Sequence, residues 1–383
     1  MKIVVCGGGT VGHIAPVLAV VDALKAFEPK AEILYVGGGG EVETKLVKDY
    51  GLRYTKVSSG KYRRYGRGFW GELSDVKTHQ KNAADALRFA KGLRQAKKIL
   101  TSFQPDVVFC KGGYVTLPVG RVAGKRKLPL VLHESDAEFG LSNRMLAAKA
   151  QAIAVGFPLE TYSGFEYIHK LVYTGNPVRS QVIGVSKAEA IKNLKISTNL
   201  PIVFVFGGSQ GAGAINEAVF SDLAILAKNF CIIHQTGSYD IERARFLHHN
   251  LEKELKNNYY PFDFLQNQMG SAFAAADIVV GRSSAGTISE MAANKKAALV
   301  IPNGNSANAH QQKNAEILTR LGAARVLPEP ELTGLRLVSE LDRMIHDTAA
   351  MRYLQTTIGS LYNPKSASEI AKCIIRAGRG EAL

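Results

Sequence analysis

The residues of this chain best suited to chemistry lie in short runs of small residues, and the richest is Asp277 to Glu290, DIVVGRSSAGTISE. It opens with Ile278-Val279-Val280, a β-branched run that predicts the end of a buried strand. Gly281, Ser283, Ser284, Ala285 and Gly286 follow with little bulk, and Thr287-Ile288-Ser289-Glu290 takes up a helical pattern. That order sets a helix N-terminus at the carboxyl end of a strand. Unpaired N–H groups and the positive end of the helix dipole suit a phosphate there. Glu290, one turn in, is placed to accept both hydroxyls of a ribose, as acidic residues do in nucleotide folds. The same T-x-x-E spacing also describes a capping box, with Thr287 as the cap and Glu290 folding back on it, and the segment alone leaves both readings open.

Other glycine loops repeat the arrangement. Lys2 to Cys6 reads as a strand, and GGGTVGHIAP (7–16) as its turn into a helix running to about Phe27. Gly7, Gly9 and Gly12 spell G-x-G-x-x-G, the dinucleotide fingerprint. A nicotinamide site would then want an acid at the end of the second strand, Ile33 to Val36. Here stand Gly37 to Gly40, with no acid until Glu41, which argues for a loop that approaches some other ligand. His13 lies just before Ile14-Ala15-Pro16, with Pro16 suited to a first helical turn. A positive helix end disfavours imidazolium, so the ring is expected to stay neutral near pH 7 as a general base must; the plainer role is packing or capping the loop. Asp106 to Cys110 is a strand leading into Lys111-Gly112-Gly113-Tyr114, and Leu128 to Leu132 one leading into His133-Glu134-Ser135-Asp136-Ala137-Glu138. One histidine with no second cluster nearby speaks against a metal and for substrate-binding groups at the mouth of a sheet.

These loops need strands to carry them. Ile202 to Phe206 precedes GGSQGAGAIN (207–216), so the second half of the chain also opens strand, glycine loop, helix. Strands at 231–234, 259–262, 278–280 and 298–301 follow, separated by helical stretches, which implies parallel sheets. Gly175-Asn176-Pro177-Val178-Arg179 marks the junction, His310-Gln311-Gln312-Lys313-Asn314-Ala315 follows the last strand of that series, and Ala367 to Arg376 reads as a closing helix. The fold class is therefore α/β, two Rossmann-like doubly wound domains with a central cleft where the glycine loops gather.

The totals agree with that plan. A chain of 383 residues, 46% apolar and 21% charged, makes two soluble domains, and no apolar run reaches membrane-span length. MKIVVCGGGT is a strand rather than a signal sequence, and four scattered cysteines fit reduced thiols in a cytosol. The net charge of +15 asks for an anionic partner. Lys61, Arg63, Arg64 and Arg67 interleave with Tyr62, Tyr65, Phe69 and Trp70, a mixture suited to an anionic lipid surface or to single-stranded nucleic acid. A solvated loop leading into the basic helical stretch from Lys77 to Lys98 is the plainer alternative. No nucleic-acid module accompanies the patch, which favours the membrane surface through segment 61–73 and no nucleic acid.

Taken in order, GGGTVGHIAP, KGGYV, HESD, GLSN, GNPVR, GGSQGAGAIN, GRSSAGTISE and HQQKNA closely resemble the MurG-type glycosyltransferases, over about residues 3 to 325. The resemblance implies the GT-B fold and an inverting hexosyltransferase that moves N-acetylglucosamine from UDP-N-acetylglucosamine to lipid I, forming lipid II. It also implies no metal, no cofactor, and peripheral attachment to the cytoplasmic face of the membrane. Residues 1–177, joined by the closing helix at 363–383, become the acceptor- and membrane-facing domain, and residues 178–362 the UDP-sugar domain. His13 becomes the base. Thr10, Val11, Gly12 and Asp136 fall near the donor sugar, and Arg179 and Ser209 near its diphosphate or sugar. Leu265 falls against uracil. Ala285, Gly286, Thr287, Ile288 and Ser289 line the phosphates by their backbone, and Glu290 takes the ribose. Gln311, with Gln312 beside it leaving the register open, matches the glutamine on the sugar hydroxyls. Tyr114, His133, Glu134 and Asn143 match the acceptor side. The alternative is a related GT-B UDP-sugar transferase or epimerase with a different acceptor.

Overall fold

The structure, a computed structural model, describes residues 1–8, 11–60, 76–208, 211–304 and 309–382, with only the backbone described at 11–13 and 76–84. The chain divides into two compact units, residues 1–177 with 365–383, and residues 178–364.

The first unit is built on a seven-stranded parallel sheet in the order β3-β2-β1-β4-β5-β6-β7. Its strands are β1 (Lys2–Cys6), β2 (Glu32–Gly37), β3 (Arg53–Lys56), β4 (Val107–Cys110), β5 (Leu130–Glu134), β6 (Ala152–Val155) and β7 (Leu171–Tyr173). The central ones are runs of Val, Ile, Leu and Phe buried on both faces, as parallel sheets require. Val17, Val21 and Leu24 of the helix Val11–Phe27 pack on this sheet with Ile370 and Ile374 of the helix Ser366–Arg379. Each such side chain contributes ~1.5–3 kcal/mol by leaving water. The closing helix is tied into the same unit by the Ser366 hydroxyl, which donates to the Gly175 carbonyl at 2.9 Å. The chain winds outward from β1 through β2 to β3, then resumes at β4 on the other side of β1. The order of strands therefore reverses between β1 and β4, and the loops after these two strands leave the sheet side by side.

The second unit holds a six-stranded parallel sheet in the order β10-β9-β8-β11-β12-β13. The strands are β8 (Ile202–Phe206), β9 (Cys231–Gln235), β10 (Tyr259–Phe262), β11 (Ile278–Gly281), β12 (Ala297–Val300) and β13 (Arg325–Val326). Here the order reverses between β8 and β11, where Phe206 pairs with Gly281. The second glycine loop and the turn after β11 thus emerge from adjacent strand ends, the place where open α/β sheets bind ligands.

Several elements depart from the sequence reading. β3, β6, β7 and β13 are strands it did not foresee. β5 runs on through His133 and Glu134, which pair with Ala154 and Val155, rather than ending at Leu132. The helix after the first glycine loop begins at Val11, so Pro16 sits inside it rather than in its first turn. Proline there has no N–H to give the carbonyl of residue 12. The helix expected from Thr287 starts two residues earlier, at Ala285.

Candidate active site

In the second unit, β11 ends at Gly281 and the helix Ala285–Ala293 begins four residues on. Ser284, not Thr287, is the N-cap: its hydroxyl oxygen accepts the Thr287 N–H at 3.4 Å and its hydroxyl donates to Thr287 Oγ1 at 2.9 Å. The Ser284 carbonyl takes the Ile288 N–H at 3.0 Å. The N–H groups of Ala285 and Gly286, at the very start, have no place in the intrahelical ladder. Gly286 is exposed, and a side chain there would meet open space. Glu290 does not fold back as a capping box would have it. Its Oε1 accepts from Arg179 Nη2 at 3.0 Å, joining the junction motif to the helix. Burial pushes the Glu290 carboxyl up, and Arg179 draws it back toward the ionised form. Both side chains stay partly open, at 29% for Arg179 and 18% for Glu290, so an oriented carboxyl group is presented one turn behind a helix N-terminus.

The turn is braced from behind. The buried Ser283 hydroxyl donates to the Gln311 carbonyl at 2.8 Å, and Asn314 Nδ2 donates to the Ser283 carbonyl at 2.9 Å. Both glutamines of the HQQKNA motif grip the backbone of one residue: Gln311 Oε1 accepts the Asn303 N–H, and Gln312 Nε2 donates to the Asn303 carbonyl, each at 2.9 Å. The two side chains shape the loop after β12 together.

The second glycine loop is held by a chain of buried polar side chains. Gln235 Nε2 donates to the Gly208 carbonyl at 2.9 Å, and its Oε1 accepts the Leu265 N–H at 2.9 Å, so one side chain joins the loop to the buried Leu265. Asn216 Nδ2 donates to the Thr236 carbonyl at 2.8 Å and to Asp240 Oδ2 at 2.7 Å. Its oxygen faces His234 Nε2 at 3.1 Å, which makes that ring nitrogen the donor and leaves Nδ1 to accept from the Tyr259 hydroxyl at 3.0 Å. Burial pushes the His234 pKa down from 6.5 to about 3, so the folded ring is neutral. Unfolding returns it to water, and between pH 6.5 and about 3 only the unfolded chain takes up the proton. Stability is therefore expected to be lost as pH falls through that window, at up to ~1.4 kcal/mol per pH unit from this residue alone. Urea midpoints measured from pH 7 downward should fall, and should fall less steeply in a His234→Gln variant.

Gly211 closes that loop at φ +79°, where a methyl group would stand 2.0 Å from the Thr236 carbonyl oxygen. Gly211→Ala is expected to cost at least ~2 kcal/mol in a denaturation midpoint. Unchanged stability would show that the loop readily relaxes.

In the first unit, the glycine run at 37–40 has a local explanation rather than the ligand the sequence suggested. The carboxylate of Glu43, buried, accepts the Gly38 N–H at 3.1 and 3.2 Å. A side chain at Gly37 would meet it at 2.3 Å. Burial pushes the Glu43 carboxyl up, opposed by the N–H groups of Gly38, Gly40 and Gly39. Tyr35 donates from its hydroxyl to the Gly7 carbonyl at 3.1 Å, and the Tyr54 hydroxyl accepts the Gly39 N–H at 2.7 Å.

A second buried cluster lies at the end of β5. Glu134 Oε2 accepts from the Gly140 N–H at 2.8 Å and from Asn143 Nδ2 at 2.9 Å, and Oε1 accepts the Asp136 N–H at 3.2 Å. Asn143 Nδ2 also reaches the His133 carbonyl at 3.0 Å. Burial and then Asp136 push the Glu134 carboxyl up. Lys111, almost fully buried, reaches the Ser135 hydroxyl, and burial pushes its ammonium down against the pull of Glu134 and Asp136. Asn176 Nδ2, from the junction motif, fixes the turn at the Ser135 carbonyl at 3.1 Å, and Tyr162 does so at the Asp136 carbonyl at 2.9 Å.

The structure thus brings together His133, Glu134, Asp136 and Asn143 in one unit, and Arg179 with Ala285 to Glu290 in the other, with Leu265 tied to the second glycine loop. Burial, and then the nearby Glu43 carboxylate, push the Tyr114 phenol up. Thr10, Ser209 and segment 61–73 lie outside the described residues, as do the side chains at Val11, Gly12 and His13. Glu43, Lys111, Asn216 and His234 were missed by the sequence reading. A lone polar residue inside an apolar strand, such as His234 in CIIHQ, was the one available sign.

Known proteins share this architecture. Residues 3–155 match the glycosyltransferase family 28 N-terminal domain, and residues 202–370 the glycosyltransferase family 28 C-terminal domain. A protein of Lachnospira eligens, the UDP-N-acetylglucosamine--N-acetylmuramyl-(pentapeptide) pyrophosphoryl-undecaprenol N-acetylglucosamine transferase, is 35% identical over 90% of this chain and 91% of its own. The crystal structure of MurG from Acinetobacter baumannii superposes with a TM-score of 0.72 at 21% identity, covering 98% of this chain and 99% of that one. A UDP-GlcNAc 2-epimerase from Neisseria meningitidis, bound to UDP-GlcNAc, shares the fold at a TM-score of 0.67 and 12% identity, over 98% of this chain and 100% of that one.

Proposed function

The chain belongs to glycosyltransferase family 28, among the UDP-N-acetylglucosamine--N-acetylmuramyl-(pentapeptide) pyrophosphoryl-undecaprenol N-acetylglucosamine transferases, and from that membership we propose how its residues divide the reaction. The enzyme moves N-acetylglucosamine from UDP-N-acetylglucosamine to lipid I, giving lipid II for peptidoglycan. In this proposal residues 178–362 hold the donor, and residues 1–177 with the closing helix hold the acceptor. The observation that carries the donor site is the Arg179–Glu290 pair set behind a helix N-terminus with an exposed glycine at its mouth. Glu290 accepts the ribose hydroxyls. The N–H groups of Ala285 and Gly286 and the guanidinium of Arg179 take the diphosphate. Leu265 and Gln235 bound the uracil side, and Ser209 with Gln311 and Asp136 the sugar.

His13 removes the proton of the acceptor 4-hydroxyl as its oxygen attacks the anomeric carbon from the face opposite UDP. The bond to the diphosphate breaks in the same step, so the α-linked donor gives a β-1,4 product. Negative charge builds on the departing diphosphate, where the helix dipole and Arg179 already point positive potential without reorganising, and no metal is needed. Tyr114 lines the acceptor, while the fully buried His133, with Glu134 and Asn143, supports the turn that shapes its site. Attachment to the cytoplasmic membrane face falls to segment 61–73. No helix among the described residues is long and apolar enough to cross a membrane.

Labelled UDP-N-acetylglucosamine supplied with lipid I should give labelled lipid II and one UDP per transfer. Donor isomerisation without acceptor would instead select the epimerase reading.

A further inference from the structure

A polar cavity of about 470 Å³ opens in the first unit, with Tyr114, placed above on the acceptor side, at its margin. Lys56, Ser58, Ser59, Asp85, Arg88 and Lys91 line it, with Gly38 and Tyr114 at its margin. Lys56 closes β3, and Gly38 and Tyr114 come from the loops after β2 and β4. The cavity therefore lies at the carboxyl edge of the sheet, where this fold places its ligands. Arg88 and Lys91 are three residues apart on the helix Val76–Phe103 and share one of its faces. The Ser58 N–H donates to Gln95 Oε1 at 2.7 Å, so the loop carrying both serines is fastened to that helix. The walls are fixed against each other rather than merely adjacent.

The charges within it are unbalanced. Among the described lining residues three cations accompany one carboxylate, and that carboxylate is already engaged, since Asp85 holds Arg88 at 3.0 Å with its own side chain only 6% exposed. Asp85 holds the guanidinium through Nη1. Two lysines and two serine hydroxyls complete a lining of donors, with Tyr114 the one large ring among the described lining residues. Cations drawn to one cavity from two elements repel one another until an anion joins them. Guanidinium, ammonium and hydroxyl donors together recognise phosphate oxygens.

We propose that this cavity is a phosphate-ester site that takes the diphosphate of the polyprenyl-linked acceptor. The proposal rests on the acceptor assignment made above. An anionic phospholipid headgroup offers the same chemistry, and the test separates the two. Lys56→Glu/Lys91→Glu is the variant of choice, because both side chains are exposed and neither belongs to the Asp85–Arg88 pair. Its fold is checked by the thermal midpoint, and a milder Lys56→Ala/Lys91→Ala variant stands in should the first fail to fold.

In detergent micelles free of phospholipid, the double variant should raise the acceptor KM about 10- to 100-fold, with kcat and the donor KM within about twofold of the parent. An unchanged acceptor KM in micelles overturns the proposal. So does a variant whose defect is confined to weaker sedimentation with phosphatidylglycerol vesicles, since the cavity would then serve a headgroup. If the parent enzyme transferred no sugar to lipid I at all, the acceptor assignment itself would fail, and that outcome is read from the parent alone.

Discussion

His13→Ala is expected to lower the turnover of lipid I by ~10²–10⁴-fold while UDP-N-acetylglucosamine still binds. A sugar hydroxyl is a poor nucleophile until its proton leaves. An aligned base removes that proton in the transition state, which is what the range above measures. His13 is the third residue of the helix Val11–Phe27, reached directly from the first glycine loop at the switch point of its sheet. That is where the strand order opens a crevice, so the backbone delivers residue 13 to the ligand edge. Steady-state kcat with saturating lipid I, alongside calorimetric UDP binding, separates the two roles open to the residue. A loss confined to turnover marks a base. Near-normal turnover assigns the proton transfer elsewhere, and a parallel loss of UDP affinity and stability marks a residue that merely holds the loop.

Glu290→Ala is the second large effect, and it is expected on binding rather than on chemistry. The carboxylate stands one turn inside the helix Ala285–Ala293 and is fixed by Arg179 at 3.0 Å. Hydrogen bonds from ribose hydroxyls to a charged acceptor are worth ~1.5–3 kcal/mol, so their loss should raise the donor KM about 10- to 100-fold, with kcat at saturating donor close to the parent value. Removing the carboxylate also frees Arg179 from its partner. A guanidinium released toward the diphosphate offsets part of the loss, which sets the expectation nearer the lower figure. Glu290→Gln keeps the shape and one acceptor oxygen and should fall between the two. An unchanged donor KM would leave the ion pair as a purely structural contact.

How much of this was legible in the residues depends on which residues one asks about. The central strands announce themselves because a parallel sheet buried on both faces must be a continuous apolar run, as in IVFVF and VVFC. The flanking strands do not. β3 is RYTK, half exposed and polar, β7 and β13 have only three and two residues, and β6 is AIAV, whose alanines suit a helix as well as a strand. Their strand character comes from pairing with a neighbour, which no local pattern records. Glycine loops were equally visible, but not always for the right reason. The run at 37–40 looks like room for a ligand, and the structure fills that room with Glu43 from the next helix. T-x-x-E at 287–290 looks like a capping box, yet the cap is Ser284 and the acid belongs to Arg179, 111 residues away in sequence. Partnerships over that separation arise from topology and carry no mark in spacing. The buried relay of Tyr259, His234 and Asn216 is hidden for the same reason.

The most direct trial of the donor site varies the ligand and the protein together. UDP and 2′,3′-dideoxy-UDP would be titrated calorimetrically into the parent enzyme and into Glu290→Ala. If Glu290 holds the ribose hydroxyls, deleting them weakens binding to the parent about 10- to 100-fold and changes the affinity of Glu290→Ala by no more than about twofold. An equal loss in both proteins would contradict the account, because the hydroxyls would then be held by some other group.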